Sequence, residues 1–157
     1  MKRVYFIICI LGFIVSSCGK EEAKNVIDVY PVDFKIDLNN LDNALKTPGG
    51  IKTFEKPRLG NEQVGCSGLL VVCSPLSEIN NPILFAYDLC CPHESQRNIK
   101  VTPSDKDGTA KCNKCGSVFD IYSGRGTVKS GPSGNPLQVY GVNSGSNGVF
   151  YVYRKNY

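Results

Sequence analysis

The 157-residue sequence has no tryptophan, one methionine and one histidine. A single histidine excludes any site within this chain that needs two imidazoles. It also excludes a mechanism that uses a second histidine as base. There is no nucleophile elbow, no nucleotide-binding glycine loop and no evident general base, so no catalytic residue is expected. No repeat or low-complexity block is present. The formal net charge is only +4, and two of those positives, Lys2 and Arg3, fall in a stretch read below as a removable leader. That balance gives no electrostatic footprint for nucleic acid. The length suits one folded domain. What is abundant is glycine (16), proline (9) and cysteine (8), the signature of a turn-rich fold with sulfur chemistry.

Lys2-Arg3 is followed by a nearly unbroken apolar run from Val4 to Val15. The run is too short to span a bilayer and has the length of a signal-peptide core. Val15-Ser16-Ser17-Cys18 resembles the bacterial lipobox. The resemblance implies cleavage before Cys18, lipidation of its thiol and attachment to a membrane surface through the acyl chains. The expected division is a signal peptide over 1–17, a lipid-anchored tether over 18–26 and one domain over 27–157. Lys20-Glu21-Glu22, without Asp at the second mature position, resembles outer-membrane sorting. It also resembles the surface-export signal of Bacteroidetes-type lipoproteins. Export and a plain solvated linker both stay open.

Beyond the tether the pattern is all-β. Val32, Phe34, Ile36 and Leu38 alternate with polar residues, as a strand with one wet face requires. Gly68 to Cys73 and Ile83 to Asp88 are short apolar runs. Leu137 to Val142 and Val149 to Arg154 flank Asn143-Ser144-Gly145-Ser146-Asn147-Gly148, which predicts a terminal hairpin. Turn signals stand at Pro48-Gly49-Gly50, Asp107-Gly108 and Gly131-Pro132. Only Leu41 to Leu45 could form a helical turn. The expected fold is an antiparallel β-sandwich or barrel. Tyr151 and Tyr153 read as a strand face, with a weak hint of sugar or peptide contact.

Cys91-Pro92-His93 and Cys112-Asn113-Lys114-Cys115 place two pairs of soft ligands on two turns. Thiolates and imidazole suit zinc and iron–sulfur centres alike. Gly116 supplies backbone freedom after the second pair.

Here the sequence resembles a known family. Ala86 to His93 is similar to the first ligand loop of a Rieske 2Fe–2S domain, and Cys112 to Asp120 to the second. Ser130 to Tyr140 is similar to the proline loop, with Gly131 and Pro132, and the strand after it. The resemblance implies an all-β Rieske-like fold with a small cluster-binding subdomain. It implies cluster ligands at Cys91, His93 and Cys112, with Cys115 where the family has its second histidine. An ordinary set of two cysteines and two histidines therefore cannot form in this chain alone. Ser117 matches the serine that donates to a cluster sulfide. Phe119 stands where the family has a tyrosine that donates to a ligating sulfur. The cysteine pair that joins the ligand loops in respiratory members has no counterpart, since 94–97 and 113–114 hold no thiol.

A third thiolate makes the centre one charge more negative than the family's. The expected midpoint lies between about −400 mV and about −150 mV. The resemblance implies one-electron transfer with an unknown redox or protein partner, from an outer-membrane lipoprotein. The alternative is a structural zinc-binding or metal-free interaction module that retains the fold, with zinc or nothing at the same four residues. Cys90 could replace His93, although strand alternation points it the other way. Cys66 and Cys73 could be a disulfide or two buried thiols, and the sequence leaves the pairing of Cys66, Cys73 and Cys90 open.

Overall fold

The computed structural model describes residues 26–78 and 80–155. The expected leader, the lipidation site at Cys18 and the tether up to residue 25 lie outside the described residues. So does Tyr157. Among the described residues, no helix is long and apolar enough to cross a membrane.

The fold is all-β, as the patterning predicts. Seven strands form a nearly closed antiparallel sheet: β1 (Val32–Asp37), β2 (Ile51–Phe54), β3 (Gln63–Val64), β4 (Leu69–Cys73), β5 (Leu84–Asp88), β10 (Val139–Ser144) and β11 (Val149–Tyr153). Their order is β2-β4-β5-β10-β11-β1-β3. A second sheet, ordered β6-β7-β8-β9, contains β6 (Val101–Ser104), β7 (Thr109–Cys112), β8 (Val118–Asp120) and β9 (Val128–Ser130). The terminal hairpin forms with Gly141 opposite Tyr153 and Ser144 opposite Phe150. The helical turn is a single 3-10 turn at Asn43–Lys46.

Two cores explain the sequence pattern. One fills the inside of the large sheet, with Phe34, Ile36, Leu69, Val71, Cys73, Ala86, Phe150 and Val152 among its members. The other lies between the outer face of β4 and β5 and the small sheet. It holds Leu70, Val72, Tyr87, Leu89, Val101, Ala110, Phe119, Ile121 and Leu137, together with Cys91 and Cys112. β4 is therefore buried on both faces. This is why Leu69 to Cys73 is continuously apolar while β1, wet on one side, alternates. Ideal burial of one such leucine contributes about 1.5–3 kcal/mol, so the second core is what docks the small sheet.

Both candidate ligand loops spring from this junction. The chain leaving β5 pairs with the start of β6, through Cys91 N–H to Ile99 O (3.0 Å) and Val101 N–H to Leu89 O (2.8 Å). Val101 in turn faces Cys112 across the β6–β7 ladder. The first loop thus begins at Cys91 and returns at Ile99, and the second leaves β7 at Cys112.

Candidate metal centre

The two loops close in the same way. Ser95 N–H donates to Cys91 O at 2.9 Å, and Gly116 N–H donates to Cys112 O at 2.9 Å. Each is one tight turn that carries its leading cysteine inward. Gly116 has φ +77°, a left-handed conformation that costs a side-chain-bearing residue about 1–2 kcal/mol. Cys112 N–H then donates to Ser117 O at 2.9 Å and returns the chain to β8. Across the gap, Lys114 Nζ meets Glu94 Oε2 at 2.6 Å, with the Glu94 side chain largely covered. This ion pair ties the loop tips together where the sequence holds no thiol pair.

The result is a group of three sulfurs. Cys91, Cys112 and Cys115 hold their Sγ atoms within 4.8 Å of one another, close enough to share a metal ion. Cys91 and Cys115 approach to 3.7 Å. Cys91 and Cys112 are buried and Cys115 is half-buried, so the group sits at the edge of the second core with one side open. His93, the fourth residue expected from spacing, is exposed and lies outside this group. Of the four residues, the structure brings together the three cysteines.

The thiols differ in environment. Burial pushes the Cys91 thiol up to about 12. Burial also acts upward on Cys115, but hydrogen bonding with the Ser117 side chain and backbone and with Cys112 and Cys91 outweighs it and holds this thiol below its ordinary value. The Cys115 thiol donates to Ser117 Oγ at 3.2 Å. The same oxygen accepts Ser133 N–H at 3.0 Å from the loop between β9 and β10. Ser117 thereby joins a sulfur of the group to the β9–β10 loop.

The close fit of that loop depends on Gly131. Its φ is +96°, and a Cβ there would run into Ser117 Cα and sit 2.9 Å from Ser117 N and Oγ. Pro132 is exposed, and the contact with Ser117 is made by its neighbours. Phe119 is fully buried in the second core.

A second sulfur-bearing group was not anticipated from spacing. Cys66, Asp88 and Cys90 place their ligand atoms within 4.8 Å of one another, all buried. Cys90, adjacent to Cys91, faces the opposite way and packs with Cys66, Ile27 and Tyr30. Cys73 belongs to neither group. It lies in the barrel core and donates to Ser77 Oγ at 3.4 Å.

The donor set fits a thiophilic metal: three soft sulfurs from two turns, one of them with a lowered pKa and an open side for a further ligand. No family model matches the chain, and no curated protein matches it either.

Proposed function

We propose that this protein is a Rieske-like, lipid-anchored electron carrier in which Cys91, Cys112 and Cys115, with His93 turned inward as fourth ligand, hold a 2Fe–2S cluster. The convergence of three sulfurs from two turns of matching closure carries this reading. The cluster would supply one-electron transfer. The chain's own residues bind it through sulfur, support Cys115 through Ser117, and cover it with the 131–133 loop. His93, already exposed on the first loop, is where a partner would approach. The lipobox-like Cys18 would hold the domain at the outer membrane, with an electron-transfer protein as partner.

The position of His93 favours a second reading. With its ring outside the sulfur group, the same three cysteines suit a structural zinc ion, and the domain would be an interaction module.

Metal analysis of anaerobically purified protein, with a visible spectrum and EPR after dithionite reduction, decides between them. The carrier reading requires iron and sulfide in equal amounts, charge-transfer bands and a reversible midpoint between about −400 mV and about −150 mV. A colourless protein with one zinc per chain, or a midpoint well above zero, overturns it.

A further inference from the structure

The group formed by Cys66, Asp88 and Cys90 has the proximity of a metal site, but its carboxylate is already fully engaged. Asp88 Oδ2 accepts Cys66 N–H at 2.7 Å and the Tyr140 hydroxyl at 2.6 Å. Asp88 Oδ1 accepts Ser67 N–H at 3.1 Å and Cys90 N–H at 2.7 Å. Four donors occupy the four lone-pair directions of one carboxylate, so none remains for an ion. The two thiols, by contrast, have poor partners. Ser67 Oγ gives its proton to Arg97 O at 2.8 Å and stands 3.9 Å from Cys66 Sγ. Cys90 Sγ reaches backbone carbonyls at 3.5 Å and 3.8 Å and lies within hydrogen-bonding reach of the Ser67 and Cys66 side chains. Ile27 and Tyr30 pack on one side of the two sulfurs, and the Asp88 carboxylate and the Ser67 hydroxyl lie beside them.

We infer that Cys66 and Cys90 form a redox-sensitive disulfide that staples the turn before β4 to the root of the first ligand loop. Their Sγ atoms are already within 4.8 Å. Rotation about the two Cα–Cβ bonds can bring them toward the bonding distance of about 2.05 Å. The disulfide has no donor to satisfy, so it replaces two buried thiols whose hydrogen bonds are long. Asp88 binds both cysteines' backbone N–H groups and so fixes the two chain segments relative to each other before any bond forms.

The oxidant is an incoming disulfide, on a small molecule or a dithiol oxidoreductase. Cys66 is the entry point, being 5% exposed where Cys90 is 0%. It directly follows Gly65, which lines a surface cavity of about 310 Å³ together with Tyr30 and Arg97. Cys66, as thiolate, attacks one sulfur of the incoming disulfide, making a mixed disulfide and releasing the first leaving thiolate. Cys90, whose thiol burial holds well above its ordinary pKa, passes its proton to the released thiolate as it attacks Cys66 Sγ, forming the internal bond and releasing the second leaving group. Two protein thiols are oxidised, one disulfide is reduced, and the two protons end on the two leaving groups.

The test is peptide mapping of the full-length protein after equilibration in glutathione buffers of graded oxidised-to-reduced ratio. Remaining thiols are alkylated under denaturing conditions before digestion. The expected result is a linked peptide pair containing Cys66 and Cys90, lighter than the sum of its parts by two hydrogens. It should be absent from both Cys66→Ala and Cys90→Ala. Recovery of Cys66 and Cys90 singly alkylated at every ratio overturns the inference. So does a link that survives Cys90→Ala, because Cys91 would then be the partner. Metal content in Cys66→Ala is expected to equal that of the parent, which keeps this result separate from the identity of the metal at Cys91, Cys112 and Cys115.

Discussion

Tyr140→Phe removes one atom from the buried network around the Asp88 carboxylate. The Tyr140 hydroxyl donates to Asp88 Oδ2 at 2.6 Å, both residues are buried, and no other side chain donates to that carboxylate. A hydrogen bond to a buried charged group contributes about 1.5–3 kcal/mol, and its loss leaves Oδ2 with only Cys66 N–H. The expected loss at neutral pH is about 2 kcal/mol, or about 8 °C in Tm for a domain of this size. Burial raises the Asp88 pKa above 3.8, while Tyr140 and the three backbone donors pull it back. A raised carboxyl pKa means the folded state holds its proton more tightly than the unfolded chain. Stability from this group is therefore fully present below the unfolded pKa and declines as pH rises through the folded one. Without Tyr140 the folded pKa climbs further, so the decline becomes deeper and reaches higher pH. The cost of the substitution should thus grow from about 1 kcal/mol near pH 3 to about 2 kcal/mol at neutral pH. Urea denaturation followed by far-ultraviolet circular dichroism measures both values, the chain having no tryptophan to report. A loss below about 0.5 kcal/mol, or one that does not vary with pH, refutes the reasoning.

Ser117→Ala should cost about 1–3 kcal/mol by orphaning the buried Ser133 N–H. In a cluster-loaded protein it should also lower the midpoint by tens of millivolts, measured by redox titration; an unchanged midpoint would remove Ser117 from the centre. Gly131→Ala should destabilise by about 2 kcal/mol or more, since its φ of +96° and the contact with Ser117 cannot accommodate a Cβ. A thermal melt that matches the parent would contradict the packing described. Glu94→Gln breaks the ion pair to Lys114 and should loosen the loops by no more than about 1 kcal/mol, an effect that fades at high salt. A loss that is equally large in 1 M salt would point to something other than charge. His93→Ala should lower the iron content of purified protein if His93 is a ligand, and leave metal content unchanged if it is not.

How far the sequence reveals this structure depends on where each strand's burial comes from. β1 is legible because one face meets the barrel core and the other meets water, giving alternation. β4 is legible as an apolar run because two cores cover it. The small sheet is not legible. Val101–Ser104, Thr109–Cys112 and Val118–Asp120 each contribute only one or two buried apolar residues and Val128–Ser130 none, and their ladders rather than their composition hold them. β2, Ile51–Phe54, is missed for the same reason: only Phe54 is buried. The cysteine motifs are legible by spacing, and three of the four residues converge. His93 follows Cys91 by two, and the turn that seats Cys91 inward leaves this position on its outer side. No spacing could announce Cys66 with Cys90. Neither belongs to a short paired motif with a second ligand type, and the β4–β5 pairing together with Asp88 brings them together.

Asp88 therefore matters beyond its own hydrogen bonds. Cys90 and Cys91 are neighbours whose side chains enter different clusters, one toward Cys66 and the other toward Cys112 and Cys115. Asp88 fixes the backbone of Cys90 and of the 66–67 turn, while Ile99 O and Ser95 N–H fix that of Cys91. One strand end thus carries two sulfur groups back to back, each held by its own bonds. A substitution on the Ser117 side should disturb only the three-cysteine group. Tyr140→Phe acts through Asp88, two residues before Cys90 and three before Cys91, and should loosen both. Alkylation rates of Cys66 and of Cys115, measured in the same metal-free, fully reduced sample, separate the cases. Tyr140→Phe should raise both rates, Ser117→Ala only the environment of Cys115, and a Tyr140→Phe protein in which Cys66 alone changes would mean the two groups are mechanically independent.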